Sequence, residues 1–322
     1  MKFILAFLGL LLLNTMAIAQ ADFPSTTIKN EQLEAVVYLP DAEDGYYRST
    51  RFDWAGVIGS LQYQSHEYFG NWMPEHNPTN PESISGPVEA FYPIGYEEGD
   101  IFLVIGIGML RKLSAKPYHF MDQYEIVDGG QWEVLSEDDH VTMVQTLEHE
   151  SGYAYEYTKT IRLADGEPKM ILEHQLKNTG KKPLETTVYN HNFFIINGET
   201  TSPNIVTTFG YDLEAEEGRG FGETVVTKGN KLIYQASLKK GESVFTPNLQ
   251  GYGPTADDYD IRIENVKSGA GVHITADRPL LKMVYWASYT TACPEPYLQV
   301  DAAPGKEFTW NIAYEFYTLD SQ

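Results

Sequence analysis

Hydrophobic and polar positions alternate over short stretches throughout this chain, and long helical periods are hard to find. Turn signals such as Asp165-Gly166 and the Lys-Gly-Asn run at 228–230 separate many of these stretches. Many short strands divided by glycine-containing turns predict an all-β sandwich or barrel. The predicted strands are residues 33–39, 101–107, 140–147, 153–161, 170–176, 184–195, 231–235, 259–266, 271–276, 281–285 and 307–316.

No repeat of fixed period and no low-complexity linker divides the sequence, which argues against a propeller and against separate domains. Residues 22–322 are therefore predicted to form a single domain, a large antiparallel β-sandwich of many long strands. Residues 63–93 differ from the rest, because they are rich in Pro, Asn, His and Glu and show little periodicity. This composition predicts a long, ordered, functional loop, in which Trp72 is a candidate for stacking on a sugar ring.

The N-terminus predicts export. Lys2 precedes an apolar run over residues 3–13, and small residues at 17, 19 and 21 offer cleavage sites. The run is too short to span a bilayer, so a signal peptide over residues 1–21 is favoured over a membrane anchor. The mature protein is expected to be periplasmic or secreted, without a membrane attachment.

Charge and cysteine content narrow the classes of partner. The formal net charge is −22, which repels nucleic acid and anionic lipid. The one cysteine, Cys293, has no partner for an internal disulfide, and burial is its expected fate.

Motifs for common cofactors and nucleophiles are missing from the sequence. The eight histidines have no zinc-binding spacing, and neither a G-x-S-x-G nor a phosphate-binding loop occurs. Gly106 and Gly108 lie in an apolar stretch and are interpreted as packing positions. No cofactor and no catalytic metal is predicted, while a structural Ca²⁺ at Asp257–Asp258 stays open as an alternative to a solvated acidic face.

Two segments carry candidate chemistry. His191 lies in the middle of a predicted strand, within the run NHNFF at 190–194. Glu295 lies between Pro294 and Pro296, whose rings restrict the backbone and can aim a carboxylate. Taken separately, each has an ordinary alternative: His191 can be a structural histidine of the strand, and the segment around Glu295 can be a surface turn.

Together and in this order, the two segments resemble motifs of the aldose 1-epimerase (galactose mutarotase-like) superfamily. That family has an Asn-His-x-aromatic-Phe strand and, near its C-terminus, a glutamate in a Cys-x-Glu-Pro-like context. A Pro-Gly-x-x-aromatic turn and a closing strand follow, as residues 304–308 do here. The resemblance implies a β-supersandwich that acts on sugars without a cofactor. Departures are Tyr189 before the Asn-His pair and a missing glycine-rich segment after His66.

The resemblance also implies residue roles. Glu295 is expected to be the base that takes the proton of the anomeric hydroxyl, and His191 the acid that protonates the ring oxygen. Imidazole titrates near neutral pH and suits this task. The candidate substrate-binding residues, beside Trp72, are Arg48 or Arg51, His66 or otherwise His119, and Asn190.

The expected partner is a mono- or oligosaccharide, and the expected reaction is interconversion of sugar anomers. A non-catalytic carbohydrate-binding protein on the same fold is one alternative, since a fold does not fix a function. A polysaccharide lyase or hydrolase is another, although hydrolysis usually needs two carboxylates. An epimerase is expected to direct His191 and Glu295 into one pocket, about a sugar ring apart.

Overall fold

The structure, a computed structural model, describes residues 23–215 and 218–319, and its strands pair antiparallel. The predicted signal peptide, residues 1–21, lies outside the described residues. The strands are β1 (Ser25–Lys29), β2 (Leu33–Tyr38), β3 (Val57–Tyr63), β4 (His66–Glu67), β5 (Gly86–Phe91), β6 (Ile101–Val104), β7 (Gly108–Arg111), β8 (Glu125–Asp128), β9 (Gln131–Ser136), β10 (His140–Glu148), β11 (Ala154–Leu163), β12 (Lys169–Asn178), β13 (Leu184–Phe193), β14 (Ile205–Phe209), β15 (Glu214–Ala215), β16 (Val225–Lys228), β17 (Lys231–Tyr234), β18 (Ser243–Thr246), β19 (Leu249–Gln250), β20 (Asp260–Asn265), β21 (Ala270–Ala276), β22 (Lys282–Ser288), β23 (Ala292–Ala302) and β24 (Glu307–Thr318). Two short 3₁₀ helices cover Ile196–Gly198 and Ala256–Asp258.

Two large sheets pack face to face and form the core. A ten-stranded sheet has the order β16-β17-β14-β20-β21-β24-β12-β11-β10-β9, and a five-stranded sheet has the order β18-β22-β23-β13-β5. Phe91 of the smaller sheet contacts the rings of Tyr157 and Trp310 of the larger one, with centroids 5.6 and 6.1 Å away. Burial of these interleaved side chains is the main force that holds the layers together.

Three smaller sheets flank the sandwich: β1-β2-β3-β4, β6-β7-β8 and β15-β19. Gly106 lies in the hairpin between β6 and β7, with a φ of +78°. A Cβ at this position would approach an oxygen of the Asp53 carboxyl group to 2.3 Å, so the close packing requires glycine. The interpretation of Gly106 and Gly108 as packing positions is consistent with this hairpin.

The predicted all-β sandwich is confirmed, and each of the eleven predicted strands overlaps an observed one. The prediction of a loop over residues 63–93 is wrong in its last part. Residues 86–91 form β5, in which all six residues are buried. A strand buried on both faces has no alternation, and its Gly-Pro start suggests a loop.

β13 shows how the smaller sheet presents two different faces. The even-numbered side chains Asn190 and Asn192 point into the sandwich and accept hydrogen bonds from Tyr314. The odd-numbered side chains Tyr189 and His191 point outward, into a cavity. The period-two alternation predicted for this segment is therefore what separates its core side from its chemical side.

Two further expectations concern Cys293 and membranes. Cys293 is fully buried, as predicted, and burial raises the pKa of its thiol well above the usual value. Within the described residues, no helix has the length and apolar character needed to cross a membrane.

Candidate active site

A cavity of about 1260 Å³ lies on the outer face of the five-stranded sheet. Strands β13, β22 and β23 form its floor, and the segments around Arg51 and Phe120 border it. Its lining combines aromatic rings with a few charged groups, the usual composition of a small-molecule site. The lining residues are Arg51, Glu82, Ala90, Phe91, Tyr92, Tyr118, Phe120, Met121, Thr187, Tyr189, His191, Arg219, Phe245, Pro247, Asn248, Tyr252, Leu281, Lys282, Val284, Trp286, Glu295 and Tyr297.

The ladder between β13 and β23 opens in the middle of the cavity floor. It runs from Leu184–Ala302 to Tyr189–Tyr297, and a single bridge between Phe194 and Ala292 resumes it in the same register. Pro294 and Pro296 lie in the gap. Proline has no N–H, so neither residue can donate the ladder bond that this position requires. The prolines flanking Glu295 thus lie in a strand, and the surface turn considered for them does not form.

Asn192 fills part of the gap with its side chain. Its Nδ2 donates a hydrogen bond to the carbonyl oxygen of Pro294, at 3.0 Å, and its Oδ1 accepts one from the Tyr314 hydroxyl, at 2.8 Å. The carbonyl of Pro294 therefore faces β13, and Pro296, two residues along, faces the same way. The carboxamide replaces a backbone bond that proline prevents.

His191 and Glu295 lie directly opposite each other across this gap. The register on both sides of the gap makes them cross-strand neighbours on the cavity face, and His191 Nε2 is 3.3 Å from Glu295 Oε1. Both residues are buried, at 2% and 6% exposure. The two side chains face one cavity, as expected for an epimerase, but they are in contact rather than a sugar ring apart. The reason is the strand pairing, which fixes neighbouring residues a few ångströms apart.

Burial sets the protonation of this pair. It raises the pKa of Glu295 to about 7, although the positive charges of Arg51 and Lys282 act in the opposite direction. It lowers the pKa of His191 well below the usual value, and the nearby Arg51 guanidinium lowers it further. Both effects favour the neutral forms, a protonated carboxyl beside an unprotonated imidazole. Below about pH 7 the pair therefore holds one proton.

Aromatic rings surround the pair. The imidazole of His191 stacks on Phe193 with ring centroids 3.8 Å apart, and Phe52 and Trp286 contact it edge-on. The Nδ1 atom of His191 is buried and has no hydrogen-bond partner among the described residues. The ring is thus held by packing, and Glu295 is its near polar neighbour.

Arg51 borders the pair and is itself tightly held. Its Nε donates a hydrogen bond to the Tyr189 hydroxyl at 3.2 Å, and its guanidinium forms an ion pair with Glu82. The guanidinium also lies 4.4 Å from the centre of the Phe120 ring. These contacts fix the guanidinium in the cavity wall, where it is paired with Glu82 and a ligand hydroxyl can contact it.

A buried polar network lies behind the cavity floor. Glu89 forms an ion pair with Lys159, its Oε1 lies 3.2 Å from His174 Nε2, and it accepts a hydrogen bond from Asn190 at 2.8 Å. Asn190 accepts in turn from Tyr314, the residue that also bonds Asn192. The network connects the core of the sandwich to the gap beside Glu295, on the face away from the cavity.

Of the predicted site residues, the structure brings Arg51, His191 and Glu295 to one cavity. Asn190 does not line it, because Asn190 faces the opposite side of β13 from His191. Trp72 does not line it either. The indole of Trp72 stacks on Phe193 at 5.9 Å and donates to the carbonyl of Glu82, so it packs on the outer face of the sheet beside the cavity.

Arg48, His66 and His119 also lie outside the cavity lining. The Arg48 backbone bonds the carbonyl of Pro78, and its Nε is buried. His66 pairs in β4 and contacts the Asn197 side chain through Nδ1 at 3.0 Å. His119 stacks on Phe120, which reaches the cavity in its place. The substrate-contact role expected for these three side chains does not fit their positions.

Tyr189 and Tyr297 line the cavity although the sequence reasoning did not select them as site residues. Their rings stack on each other, with centroids 4.7 Å apart, beside the His191–Glu295 pair. Each lies two residues from a candidate catalytic residue on the same strand, so alternation alone could have found them. Glu82 was also missed, and no local signal marks it, because its link to Arg51 spans 31 residues.

Metal ligation has no support in the described part of the chain, where no group of three or more His, Cys, Asp or Glu side chains could hold an ion. Asp257 and Asp258 lie in the second 3₁₀ helix, and Asp258 accepts a hydrogen bond from Thr255 at 3.3 Å. The alternative of Ca²⁺ at this pair stays untested.

Comparison with known proteins places the fold. No protein-family model and no curated protein matches the sequence. Among solved structures, a galactose mutarotase-related enzyme from Lactobacillus acidophilus is 14% identical, with a TM-score of 0.55, and the match covers 92% of this chain and 99% of that one. A galactose mutarotase-like protein from Lactobacillus casei is 14% identical, with a TM-score of 0.55, and the match covers 91% of this chain and 100% of that one. A protein described as a putative aldose 1-epimerase from Escherichia coli K12 is 15% identical, with a TM-score of 0.54, and the match covers 92% of this chain and 99% of that one.

These similarities cover almost the whole of the described chain, and they show its fold. The chain has the galactose mutarotase-like β-sandwich fold, as the sequence motifs predicted. Identities of 14–15% are too low to transfer an activity, which has to be argued from the site.

Proposed function

We propose that the protein is an aldose 1-epimerase-like enzyme that interconverts sugar anomers by opening and closing the sugar ring. One observation carries the proposal: His191 and Glu295 face each other at 3.3 Å on the floor of an aromatic-lined cavity. The anomeric hydroxyl oxygen and the ring oxygen of a sugar are both bonded to C1. A contacting acid–base pair beneath C1 can therefore reach both oxygens.

The His191–Glu295 pair takes up one proton and gives up one proton in the reaction. The base takes the proton of the anomeric hydroxyl, the bond between C1 and the ring oxygen breaks, and the ring oxygen receives the proton of the acid. Rotation about C1–C2 and the reverse steps give the other anomer. In the assignment that the family resemblance implies, Glu295 is the base and His191 the acid, a form that the pair reaches when the carboxyl proton passes to His191 Nε2.

A pair that holds one proton contains one acid and one base, whichever residue carries the proton. The proton lost to the ring oxygen is replaced by the one taken from the hydroxyl. Transfer over the 3.3 Å between Nε2 and Oε1 then restores the starting state. The burial that brings Glu295 to a pKa of about 7 supports this cycle near neutral pH.

The test is anomer exchange. The mature protein is incubated with freshly dissolved α-glucose, α-galactose and other aldoses, and exchange is followed by NMR above the uncatalysed rate. We expect acceleration, and a loss of about 100-fold or more in Glu295→Gln, because acid–base catalysis contributes about 10²–10⁴. Glu185→Gln, an exposed carboxylate on β13, is the matched control and should keep the wild-type rate. Binding without exchange on any aldose would instead identify a carbohydrate-binding protein.

Glycoside hydrolysis is a second candidate, because Glu82 is another carboxylate of the same cavity. Hydrolysis uses two carboxylates that flank the scissile bond. Glu82, however, is held by Arg51, whereas Glu295 contacts His191. Release of reducing sugar from a panel of oligosaccharides, lost in both Glu82→Gln and Glu295→Gln, would favour the hydrolase over the epimerase.

Export completes the proposal. The apolar run and small residues at the N-terminus support cleavage of residues 1–21 and a periplasmic or secreted protein. N-terminal sequencing of the protein recovered outside the cytoplasm tests this point. Recovery of an intact Met1 in the cytoplasmic fraction alone would contradict it.

A further inference from the structure

The cavity extends well beyond the His191–Glu295 pair. Its lining runs across the whole five-stranded sheet, from Tyr92 at the end of β5 to Phe245 on β18. Beyond β18 lies Arg219, whose carbonyl accepts a hydrogen bond from the Phe245 backbone at 2.9 Å. With neighbouring strands about 4.8 Å apart, this floor is roughly 24 Å wide.

One sugar ring does not need such a floor. The volume of about 1260 Å³ exceeds the 300–1,000 Å³ that is usual for drug-sized ligands. Arg219 lies three strand spacings from β23, roughly 14 Å, so it is beyond the reach of a single pyranose seated over Glu295. A ligand that contacts both must be a chain of sugar units.

Exposed apolar side chains are concentrated along this floor. Half of the ten large hydrophobic residues that are exposed in the described parts of the chain line the cavity. They lie on both sides of the catalytic pair, with Tyr92, Phe120 and Met121 towards one end and Phe245 and Leu281 towards the other. Exposed aromatic rings on both sides suit the apolar faces of successive sugar units.

The charge of the cavity is opposite to that of the protein. Arg51 and Glu82 neutralise each other in an ion pair, which leaves Arg219 and Lys282 against Glu295. The rest of the chain gives a net charge of −22. Because salt at about 0.15 M screens charges beyond about 8 Å, a ligand in the cavity is governed by these two near cations.

We propose that the cavity binds an oligosaccharide, and that Arg219 and Phe245 form an outer subsite for a sugar unit that carries a negative charge. The inference rests on the proposed function, since it extends the site of that function. A carboxylate or a phosphate on the outer unit satisfies the same chemistry, because both accept charge-assisted hydrogen bonds from guanidinium and ammonium groups.

The test compares equilibrium binding of four ligands by titration calorimetry. They are glucose, cellobiose, and two disaccharides whose non-reducing unit is a glucuronate or a glucose 6-phosphate. We expect cellobiose to bind more tightly than glucose, and at least one acidic disaccharide to bind about tenfold more tightly than cellobiose at low salt. The acidic preference should decline in 0.5 M NaCl, since exposed charges are screened. The acidic ligand with the larger preference identifies the anionic group.

Arg219→Gln should lower the ratio of acidic to neutral affinity by about three- to tenfold. Arg111→Gln, an exposed arginine paired with Glu125 outside the cavity, is the matched control and should keep the wild-type ratio. Equal affinities for glucose and cellobiose, or a ratio of acidic to neutral affinity that Arg219→Gln leaves unchanged, would overturn the outer subsite.

Failure of the subsite and failure of the proposed function give different results. Anomer exchange on monosaccharides without any preference for the acidic disaccharides rejects the subsite and keeps the enzyme. Preference for an acidic disaccharide that depends on Arg219, without exchange on any aldose, supports the subsite and rejects the enzyme. If none of the four ligands binds, the outer subsite is rejected, whatever the result of the exchange experiment.

Discussion

The side-chain amide of Asn192 donates a hydrogen bond to the carbonyl oxygen of Pro294, at 3.0 Å, where the ladder between β13 and β23 is interrupted. The bond joins the two strands on the core side, and His191 and Glu295 meet on the cavity side of the same gap. The two candidate catalytic residues are adjacent in sequence to the two residues of this bond. Asn192 is therefore a positioning residue for the pair.

Asn192→Ala should loosen the gap and misplace Glu295. Since a shift of about 1 Å at a catalytic group can cost about 100-fold, we expect kcat for anomer exchange to fall at least about tenfold while KM changes less. Water entering the gap would also lower the pKa of Glu295 toward its usual value, so the alkaline limb of the pH profile should move to lower pH.

The control for this substitution is Thr186→Ala. Thr186 is buried on the same face of β13, and its hydroxyl donates to the carbonyl of Tyr92 at 2.7 Å, away from the gap. Both variants lose a buried hydrogen bond, which costs about 1–3 kcal/mol. If kcat decreases and the alkaline limb of the pH profile shifts to the same extent in both variants, Asn192 has only a structural role.

The pH dependence of exchange follows from the one-proton pair. Burial holds the pKa of Glu295 at about 7 and the pKa of His191 well below its usual value. The pair therefore keeps one proton from moderately acidic pH up to about 7 and loses it above. We expect kcat/KM, corrected for the uncatalysed reaction, to be level below pH 7 and to decline above it. A profile that rises through pH 7 to a plateau would contradict this cycle.

Several features of β13 follow from its local sequence. Alternation predicted the strand, and the Asn-His motif directed attention to His191, because both signals are local. Alternation also predicts that Asn190 lies on the opposite face of β13 from His191, as the structure has it. A motif gives the order of residues along the chain, whereas the two-residue period of a strand decides which face each side chain lies on.

Other features depend on contacts between distant segments. Glu82 lies 31 residues from Arg51 in sequence and just before β5, which pairs with β13 and carries no alternation, since all of its residues are buried. The contact between His191 and Glu295 depends on the register of β13 against β23, which no local pattern specifies. The sequence could therefore name the pair, whereas its separation required the tertiary structure.

Glu295→Gln should change the pH dependence of stability as well as activity. The pKa of Glu295 is raised from 4.5 to about 7 in the folded state, so the folded protein retains a proton that the unfolded chain loses. Its contribution is favourable below about pH 4.5 and is lost as the pH rises to about 7. The free energy of unfolding of the variant, relative to that of the wild type, should therefore increase by on the order of 3 kcal/mol between these two pH values.

Urea unfolding of both proteins at pH 4.5 and pH 8 measures this difference. Glu185→Gln, on the exposed face of β13, should differ from the wild type by nearly the same amount at both pH values. A pH-independent difference for Glu295→Gln would mean that the folded protein does not raise the pKa of this carboxyl group.

Lys159→Met tests the buried network behind the cavity. Burial alone would raise the pKa of Glu89, but the charges of Lys159 and His174 bring it down to about 2. Asp53 lies 3.9 Å from the same ammonium group, and all three charged side chains are almost fully buried. Removing the ammonium leaves buried carboxylates without their counter-charge, so we expect a loss of about 3–5 kcal/mol in the free energy of unfolding.

Arg162→Met provides the matched comparison, because Arg162 pairs with Glu173 at 3.4 Å on a partly exposed surface. That substitution should cost less than about 1 kcal/mol, since solvent screens exposed pairs. Lys159→Met combined with Glu89→Gln should recover part of the loss, because the unpaired charge is removed with its partner. Equal small losses in Lys159→Met and Arg162→Met would show that the interior is hydrated enough to screen these charges. Glu89 would then be a poor anchor for Asn190, and the network would not stiffen the strand that carries His191.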